Sequence, residues 1–158
     1  MNHKDSLPSL TTHSMKSFDS FILKFVDIKP LSNFQIIELC NDLKIKHFKG
    51  VFMRDELNFK SDYNECLILN IDHSDNDGTH WTCLFTKNGI SNYFDSFGFR
   101  LPLEVERYCK GDIRNYSTFP IQINNEVICG HYCIYVLYKL SNGCDFYAVL
   151  DELYRHNH

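Results

Sequence analysis

The stretch HWTCLFTKNGISNYFDSF, residues 80–97, decides the fold. Its two halves are rich in aromatic and branched residues and are separated by Asn88 and Gly89, the pair favoured in two-residue turns of β-hairpins. Counting outward from this turn makes His80 the diagonal neighbour of Asp95, on the same face of the hairpin and about 7 Å away between backbones. A slip of one residue would place the two side chains on opposite faces. The stretch therefore predicts a hairpin in which an imidazole reaches a carboxylate.

Two further strands and a loop are predicted around the hairpin. Residues 66–71 form a short apolar run with branched side chains and predict a strand. Residues 113–122 are also predicted to form a strand. Residues 48–57 combine an apolar start, a glycine and a charged triplet, which is typical of a structured loop and not of a regular element.

Helical signals lie on both sides of these strands. Ser32 and Gln35 make a capping box before apolar residues at helical spacing, and Pro102 marks the first turn of a short helix. Apolar runs predict two further helices, at 129–140 and 146–154. This order predicts an α+β fold: a central mixed or antiparallel sheet, a buried helix with Cys129 at its N-terminus, and further helices around it.

Length and composition predict one folded domain. The 158 residues are 44% apolar and 15% aromatic, which is enough for a core. Residues 1–17 are polar and predict a flexible tail, so the domain is expected to span residues 18–158. The 16 basic and 20 acidic residues are mixed along the chain and give a net charge of -4. No basic surface for nucleic acid is therefore expected.

The seven cysteines indicate a reducing compartment and not a disulfide scaffold. Their number is odd, and Cys66, Cys83 and Cys133 lie in apolar runs, where a free cysteine packs as a small hydrophobe. The first residues lack an apolar stretch of signal-peptide length, and the longest apolar run, 128–140, is interrupted by polar residues. We therefore expect neither secretion nor a membrane partner.

Four residues supply the parts of a cysteine hydrolase. Cys129 opens a helix, where the dipole and the unpaired backbone N–H groups favour a thiolate. His80 can take the thiol proton while Asp95 orients the imidazole. Gln122, seven residues before the cysteine and at the end of a predicted strand, can aim its side-chain amide at the oxyanion beside the N–H of Cys129. Together these residue types predict attack of a thiol on a carbonyl.

The same residue types also have structural explanations. A cysteine in an apolar helix is most often core, and a histidine at a strand start is most often a packing residue, but the four-part match outweighs both. His131 is a second candidate base, although adjacent helical positions do not face each other, and Asn124 and Asn125 are alternative amide donors. The loop 72–78 and His73 suggest a metal site, yet ligands at the required positions are missing, so no metal is predicted.

At these residues the chain resembles the adenovirus-type endopeptidases (adenain) and, more distantly, the Ulp1-type proteases of ubiquitin-like proteins. The likeness starts in the first predicted helix and the FKGVF segment after it. It includes GTHW at 78–81, YFDSFGF at 93–99, and the run from Gln122 through Cys129 and Gly130 into the apolar helix. The N-terminal tail lies outside it.

The resemblance implies a role for each residue of the site. It implies a general base, its orienting acid, an oxyanion donor and a nucleophile, in the order His80, Asp95, Gln122 and Cys129. Trp81 would pack beside the histidine, and Trp81 and Gly130 would contact the substrate. Many adenovirus-type members carry glutamate at the position of Asp95, and either carboxylate serves.

The resemblance also implies a biological setting. The expected function is maturation of viral capsid or core precursors by cleavage near glycine or other small residues. The expected enzyme is a monomer in the virion and in the host cytoplasm or nucleus.

The family uses an activating peptide and DNA, but no cysteine matches the one that takes up the peptide, Cys109 being out of register. The acidic charge does not favour DNA, so neither cofactor is assigned. The alternatives are an isopeptidase for ubiquitin-like modifiers, an acyltransferase, and an inactive binding module on the same fold.

Overall fold

The fold is a mixed five-stranded sheet with helices packed on both faces. The computed structural model describes residues 7–57, 61–72, 80–109, 113–122 and 127–158. The strands in these ranges are β1 (Phe48–Met53), β2 (Glu65–Asn70), β3 (Trp81–Lys87), β4 (Ile90–Phe94) and β5 (Ile113–Tyr116). The α-helices in these ranges are α1 (Phe18–Ile22), α2 (Asn33–Asp42), α3 (Leu103–Cys109), α4 (Cys129–Ser141) and α5 (Phe146–Asn157).

The strands lie across the sheet in chain order, from β1 to β5. The outer pairs, β1 with β2 and β4 with β5, are parallel, whereas the two inner pairs are antiparallel. β2 corresponds to the strand predicted for the apolar run 66–71, and every residue of β2 is buried. The predicted α+β class with a mixed sheet is confirmed.

The predicted hairpin register is also confirmed. Lys87 pairs with Ile90, and the pairing continues along β3 and β4 without a slip. Asn88 and Gly89 have φ angles of 53° and 77°. Both central residues of a type I′ turn need this left-handed conformation, which asparagine and glycine adopt most readily.

Alternation along the strands divides the core into two clusters. On one face, α2, α4 and α5 pack over a cluster that includes Cys66, Ile68 and Cys83. On the other face, α3 covers Leu67 and Leu84. The predicted buried helix is α4, which contacts β3 and is buried along most of its length. The start of α4 is thereby placed beside the hairpin.

Local signals mark several helix ends, among them the predicted capping box and Pro102. The Ser32 N–H donates to the Gln35 side chain, and the Gln35 N–H donates to the Ser32 hydroxyl, so the capping box is formed. Pro102 directly precedes α3, and Gly143, with φ of 90°, follows the end of α4. The last helix continues past its predicted end to Asn157. None of the helices in the described ranges has the length and hydrophobicity that crossing a bilayer requires.

The prediction of a loop at 48–57 is wrong for its first part. Residues 48–53 form β1, and a short 3-10 helix, Arg54–Glu56, follows. The pairing of β1 with β2 shifts register between Phe48 and Gly50, and all residues of β1 are half-buried. A bulged edge strand has neither a continuous apolar run nor a clean alternation, which are the patterns that predict strands.

The predicted strand at 113–122 is too long. β5 ends at Tyr116, and Pro120 further on has no N–H to donate to a sheet. The N–H of Gln122 instead donates to the carbonyl of Ser96, at 2.9 Å. Gln122 therefore does not end a strand but lies in an irregular segment held by the turn after β4.

Packing begins before Phe18, the predicted first ordered residue. Met15 is 1% exposed, and Leu7 and Leu10 pack against the larger core cluster. The Phe18 ring stacks on Tyr132 of α4, with 4.7 Å between ring centroids. The few apolar residues of this mostly polar segment therefore pack against the core, although the composition of the segment predicts a tail.

Candidate active site

A histidine and an aspartate meet at the open end of the hairpin. Nε2 of His80 lies 2.7 Å from Oδ1 of Asp95. His80 directly precedes β3 and Asp95 directly follows β4, so the hairpin register brings them together, as predicted. Their side chains are 7% and 1% exposed. Water therefore competes little with this contact, and the low local dielectric strengthens it.

Further hydrogen bonds hold Asp95 in place. Its Oδ1 also accepts the N–H of Phe97, at 2.8 Å. The hydroxyl of Ser117 accepts the N–H of Asp95 at 2.8 Å and donates to its carbonyl at 2.9 Å. These bonds set the direction from which the carboxylate faces the imidazole. The sequence does not predict the role of Ser117, because 22 residues separate it from Asp95 and no local pattern links them.

A tight turn after β4 folds an aromatic ring over the histidine. The N–H of Gly98 donates to the carbonyl of Asp95 at 2.9 Å, and its φ is 70°. A Cβ at this glycine would lie 2.5 Å from the backbone of Phe119, so a side chain does not fit. The ring of Phe97 lies 4.5 Å from that of His80, between centroids, and shields it. Phe97 lies in this turn and not in a strand, so strand alternation gives no signal for the contact.

Cys129 is the first residue of α4 and is half-buried. It lies close enough to His80 to help raise the pKa of that imidazole. The preceding residue, Ile128, is at the N-cap position, and its apolar side chain cannot accept a hydrogen bond from the first N–H groups of the helix. The thiol therefore lies at the positive end of the helix dipole and beside an imidazole.

Burial and hydrogen bonding act in opposite directions on His80. Burial disfavours the imidazolium and lowers the pKa, whereas the hydrogen bonds to Asp95 and Cys129, and the charges of those groups, raise it. The net effect raises the pKa of His80 from 6.5 to about 9. His80 is therefore a cation at neutral pH, with a carboxylate on one ring nitrogen and a thiol partner.

The predicted oxyanion donor is anchored to the turn after β4. The hydroxyl of Ser96 donates to Oε1 of Gln122, at 2.5 Å. Gln122 is 5% exposed, so its amide lies inside the protein and not on the surface. The alternative donors Asn124 and Asn125 lie outside the described residues, and the role of Gln122 stays a prediction.

Trp81 and Gly130 pack against each other. Nε1 of Trp81 donates to the carbonyl of Leu31 at 3.1 Å. A Cβ at Gly130 would lie 3.2 Å from Cδ1 of Trp81 and 3.4 Å from Cδ1 of Ile36. The glycine therefore lets the indole approach the first turn of α4, next to the cysteine. Contact of either residue with substrate stays a prediction.

The other cysteines have different surroundings. Those that are buried are Cys40, Cys66, Cys83, Cys109 and Cys133. Burial raises the pKa of the Cys133 thiol, one turn along α4, well above its ordinary value. Cys144 is exposed. Cys129 combines partial exposure with a histidine partner, which is the environment of a reactive thiol.

The alternative base, His131, lies in the core. It is fully buried, with its ring 4.6 Å from that of Phe25 between centroids. Neither ring nitrogen has a hydrogen-bond partner among the described residues, and burial lowers its pKa to about 4. His131 is therefore a neutral packing residue at physiological pH, as expected from its position next to Gly130.

Within the described ranges, no group of three or more histidine, cysteine, aspartate and glutamate side chains is arranged to hold a metal ion. Residues 73–79, which include most of the loop that lacks the required metal ligands, lie outside those ranges.

The fold is similar to that of known proteases. The pS273R protease of ASFV aligns with a TM-score of 0.55 at 16% identity, over 82% of this chain and 66% of that chain. Its selenomethionine form gives 0.52 at 17% identity, over the same shares. The C-terminal Ulp1 protease domain, solved in complex with Smt3, the yeast orthologue of SUMO, gives 0.45 at 13% identity, over 92% of this chain and 79% of that chain. No family model and no curated protein matches the sequence. The chain thus has the fold of the ASFV protease and spans 66% of its length.

Proposed function

We propose that this chain is a thiol endopeptidase with Cys129 as its nucleophile. The observation that carries the proposal is the arrangement of Cys129, His80 and Asp95. His80 is hydrogen-bonded to Asp95 at the open end of the hairpin and interacts with Cys129 at the start of α4. A thiol, a base and an orienting carboxylate in this order are the groups that activate a nucleophile for acyl transfer. The shared fold with a viral protease supports the proposal.

The contact with Asp95 supports different roles for the two ring nitrogens of His80. Nε2 is bonded to Asp95, so in the charged imidazolium Nδ1 is proposed to hold the proton that the thiol has given up. The thiolate then attacks the peptide carbonyl, and the C–N bond breaks as the imidazolium returns its proton to the leaving amine. Water next attacks the resulting thioester with His80 as base, which releases the acid and restores the thiol. Asp95 keeps the ring oriented and stabilises its positive charge throughout.

Two donors are proposed for the oxyanion that forms during each attack. They are the backbone N–H of Cys129 and the side-chain amide of Gln122. The buried amide of Gln122 is held by Ser96 before any substrate arrives, so it needs little reorganisation during the reaction. Removal of one such donor costs roughly 10²- to 10³-fold in rate in other hydrolases.

The proposed substrates are precursor proteins of a viral capsid or core, cleaved near glycine or other small residues. The motif resemblance to adenovirus-type endopeptidases supports this, and so does the fold shared with a viral protease. We place the enzyme, as a monomer, in the reducing compartments of the virion and host cell. Activation by a peptide or by DNA rests on the resemblance alone, and no cofactor is assigned.

Labelling with a thiol-directed peptide probe tests the nucleophile. The exposed Cys144 would react without activation, so the reference protein carries Cys144→Ser. We expect one modification per chain, on Cys129, and a strong loss of labelling when His80→Ala is added. An unlabelled Cys129 in the reference protein, or equal labelling rates with and without His80, would contradict the proposal.

Co-expression with viral structural precursor proteins tests the substrate. The termini produced by the wild type and by Cys129→Ser are compared by mass spectrometry. New termini near small residues that depend on Cys129 support a maturation protease. Cleavage of modifier conjugates without cleavage of precursors would favour the isopeptidase instead, and identical termini in both samples would contradict maturation.

A further inference from the structure

We infer that Ser96 is a positioning residue that sets the orientation of the Gln122 amide, so that its Nε2 and not its Oε1 is presented to the oxyanion. The inference rests on the proposed function, because it assigns a task to a residue of the same site. A side-chain amide has one end that donates and one that accepts, so a half-turn about its last bond exchanges the two. An oxyanion donor works in only one of these orientations.

The distance between the two side chains indicates which end of the amide faces Ser96. Its Oγ lies 2.5 Å from the amide atom of Gln122. Hydrogen bonds from O–H to oxygen span about 2.5–3.0 Å, whereas those between N–H and oxygen span about 2.7–3.2 Å. The contact is therefore one in which the hydroxyl donates to Oε1, and Nε2 is the end turned away from Ser96.

The backbone adds a second restraint to the same pair. The carbonyl of Ser96 accepts the N–H of Ile121 at 2.8 Å and the N–H of Gln122 at 2.9 Å. Ser96 thus holds both the main chain and the side chain of the residue that it orients. The segment has left the sheet at this point, so these bonds replace the ladder that would otherwise fix it.

Burial makes the serine hydroxyl difficult to replace. Ser96 is 0% exposed and Gln122 is 5% exposed. Without the hydroxyl, Oε1 would lose a donor in a place that bulk water hardly reaches. The amide would then gain by turning towards other donors, and its carbonyl end would repel the oxyanion.

The position of Ser96 also links the two halves of the site. Its neighbour Asp95 carries the contact to His80, while Ser96 carries the contact to Gln122. These two consecutive residues, in the turn directly after β4, thus contact both groups. Activation of the thiol and stabilisation of the oxyanion are therefore both anchored at the end of β4.

Two reagents separate orientation of the amide from general damage to the site. Acetyl transfer from p-nitrophenyl acetate to Cys129 passes through an oxyanion, whereas alkylation by iodoacetamide substitutes at a saturated carbon and forms none. Both rates are measured on Cys129 in the Cys144→Ser background, with mass spectrometry to locate the product. The test variant is Ser96→Ala.

The matched control is Ser91→Ala. Ser91 is a buried serine of β4 whose hydroxyl is 2.7 Å from that of Thr86, away from the site residues. We expect Ser96→Ala to slow acetyl transfer by about tenfold or more, up to the loss in rate seen when an oxyanion donor is removed. The rate of alkylation should stay within about twofold of that of the reference protein. The control should change neither rate. In a Gln122→Ala background, Ser96→Ala should slow acetyl transfer no further.

Other outcomes would overturn the inference. Equal acetyl-transfer rates in Ser96→Ala and Ser91→Ala would show that the hydroxyl does not orient the amide. Equal slowing of both reactions would show a structural role only. If Ser96→Ala does not fold, Ser96→Cys keeps a side chain of similar size with a weaker donor, and a normal acetyl-transfer rate there would also overturn the inference. An unreactive Cys129 in the reference protein is a different result, since it removes the proposed function itself.

Discussion

Replacement of Asp95 by asparagine removes one negative charge and preserves the shape of the side chain. Oδ1 can still accept from His80 and from the N–H of Phe97, at the positions where it does so at 2.7 and 2.8 Å. What changes is the electrostatic partner of the imidazole. We expect the pKa of His80 to fall from about 9 in this variant. Burial still disfavours the imidazolium, and the negative charge that stabilises it is gone.

The raised pKa of His80 implies a pH-dependent contribution to stability. A group whose pKa is higher in the folded chain stabilises the fold fully below its unfolded pKa, and this stability is lost as pH rises through the folded value. For His80 the window runs from pH 6.5 to about 9. At about 1.4 kcal/mol for each tenfold change in the ionisation constant, the contribution is about 3 kcal/mol. The side chain is 7% exposed, so solvent screening reduces it little.

Urea unfolding followed by circular dichroism at pH 6 and pH 9 measures this contribution. The wild type should lose about 3 kcal/mol of unfolding free energy between the two values, and Asp95→Asn about 1 kcal/mol or less. Burial raises the pKa of Cys40 and Cys66, which also lowers stability at the alkaline end, but equally in both proteins. Asp19→Asn is the matched control, since Asp19 pairs with His156 at the surface and should contribute about 1 kcal/mol at most.

If the wild type and Asp95→Asn lose the same free energy between pH 6 and pH 9, then Asp95 does not hold His80 in its charged form. A titration of the His80 ring by NMR would then show the same pKa in both proteins.

Two further substitutions test the packing around the site. Gly130→Ala adds a Cβ 3.2 Å from the Trp81 ring and should lower the unfolding free energy by about 1–3 kcal/mol; unchanged stability in urea would show that the indole is free to move. Tyr108→Phe removes the hydroxyl that donates to the buried carboxylate of Glu65 at 2.6 and 2.7 Å, and should cost about 1–3 kcal/mol. Because this pair belongs to the α3 face of the sheet, iodoacetamide should alkylate Cys129 in Tyr108→Phe at the wild-type rate, and a slower reaction would contradict the separation of the two faces.

Much of the fold follows from patterns within a few residues. The Asn88-Gly89 turn determines the hairpin register, and Ser32 with Gln35 determines where α2 begins. The failures occur where a bulge or a distant partner replaces a regular pattern. The sequence pattern does not predict β1, because the pairing of this strand shifts register at Gly50. The end of β5 is not predicted either, because it depends on hydrogen bonds to the turn after β4.

Some contacts of the candidate site can likewise be predicted from local sequence patterns, and others cannot. The pairing of His80 with Asp95 is predictable, because a two-residue turn allows only one pairing register for the hairpin. In that register, strand alternation places both side chains on the same face of the sheet. The support of Asp95 by Ser117 and of Gln122 by Ser96 is not predictable, since 22 and 26 residues separate these partners. Their contacts depend on how β5 and the segment after it lie against the end of β4.

The sequence by itself determined the elements, the hairpin register and the residue types that make a cysteine hydrolase conceivable. These depend on local backbone preferences and on the two-residue and 3.6-residue periods, which act over short stretches of chain. The tertiary structure decided which groups surround the reactive ones: the Phe97 ring on His80, the serines behind Asp95 and Gln122, and the burial that separates Cys129 from the core cysteines. The physical reason is that burial, dielectric environment and hydrogen-bond geometry arise from packing between distant segments of the chain. The spacing of residues along the sequence does not predict that packing.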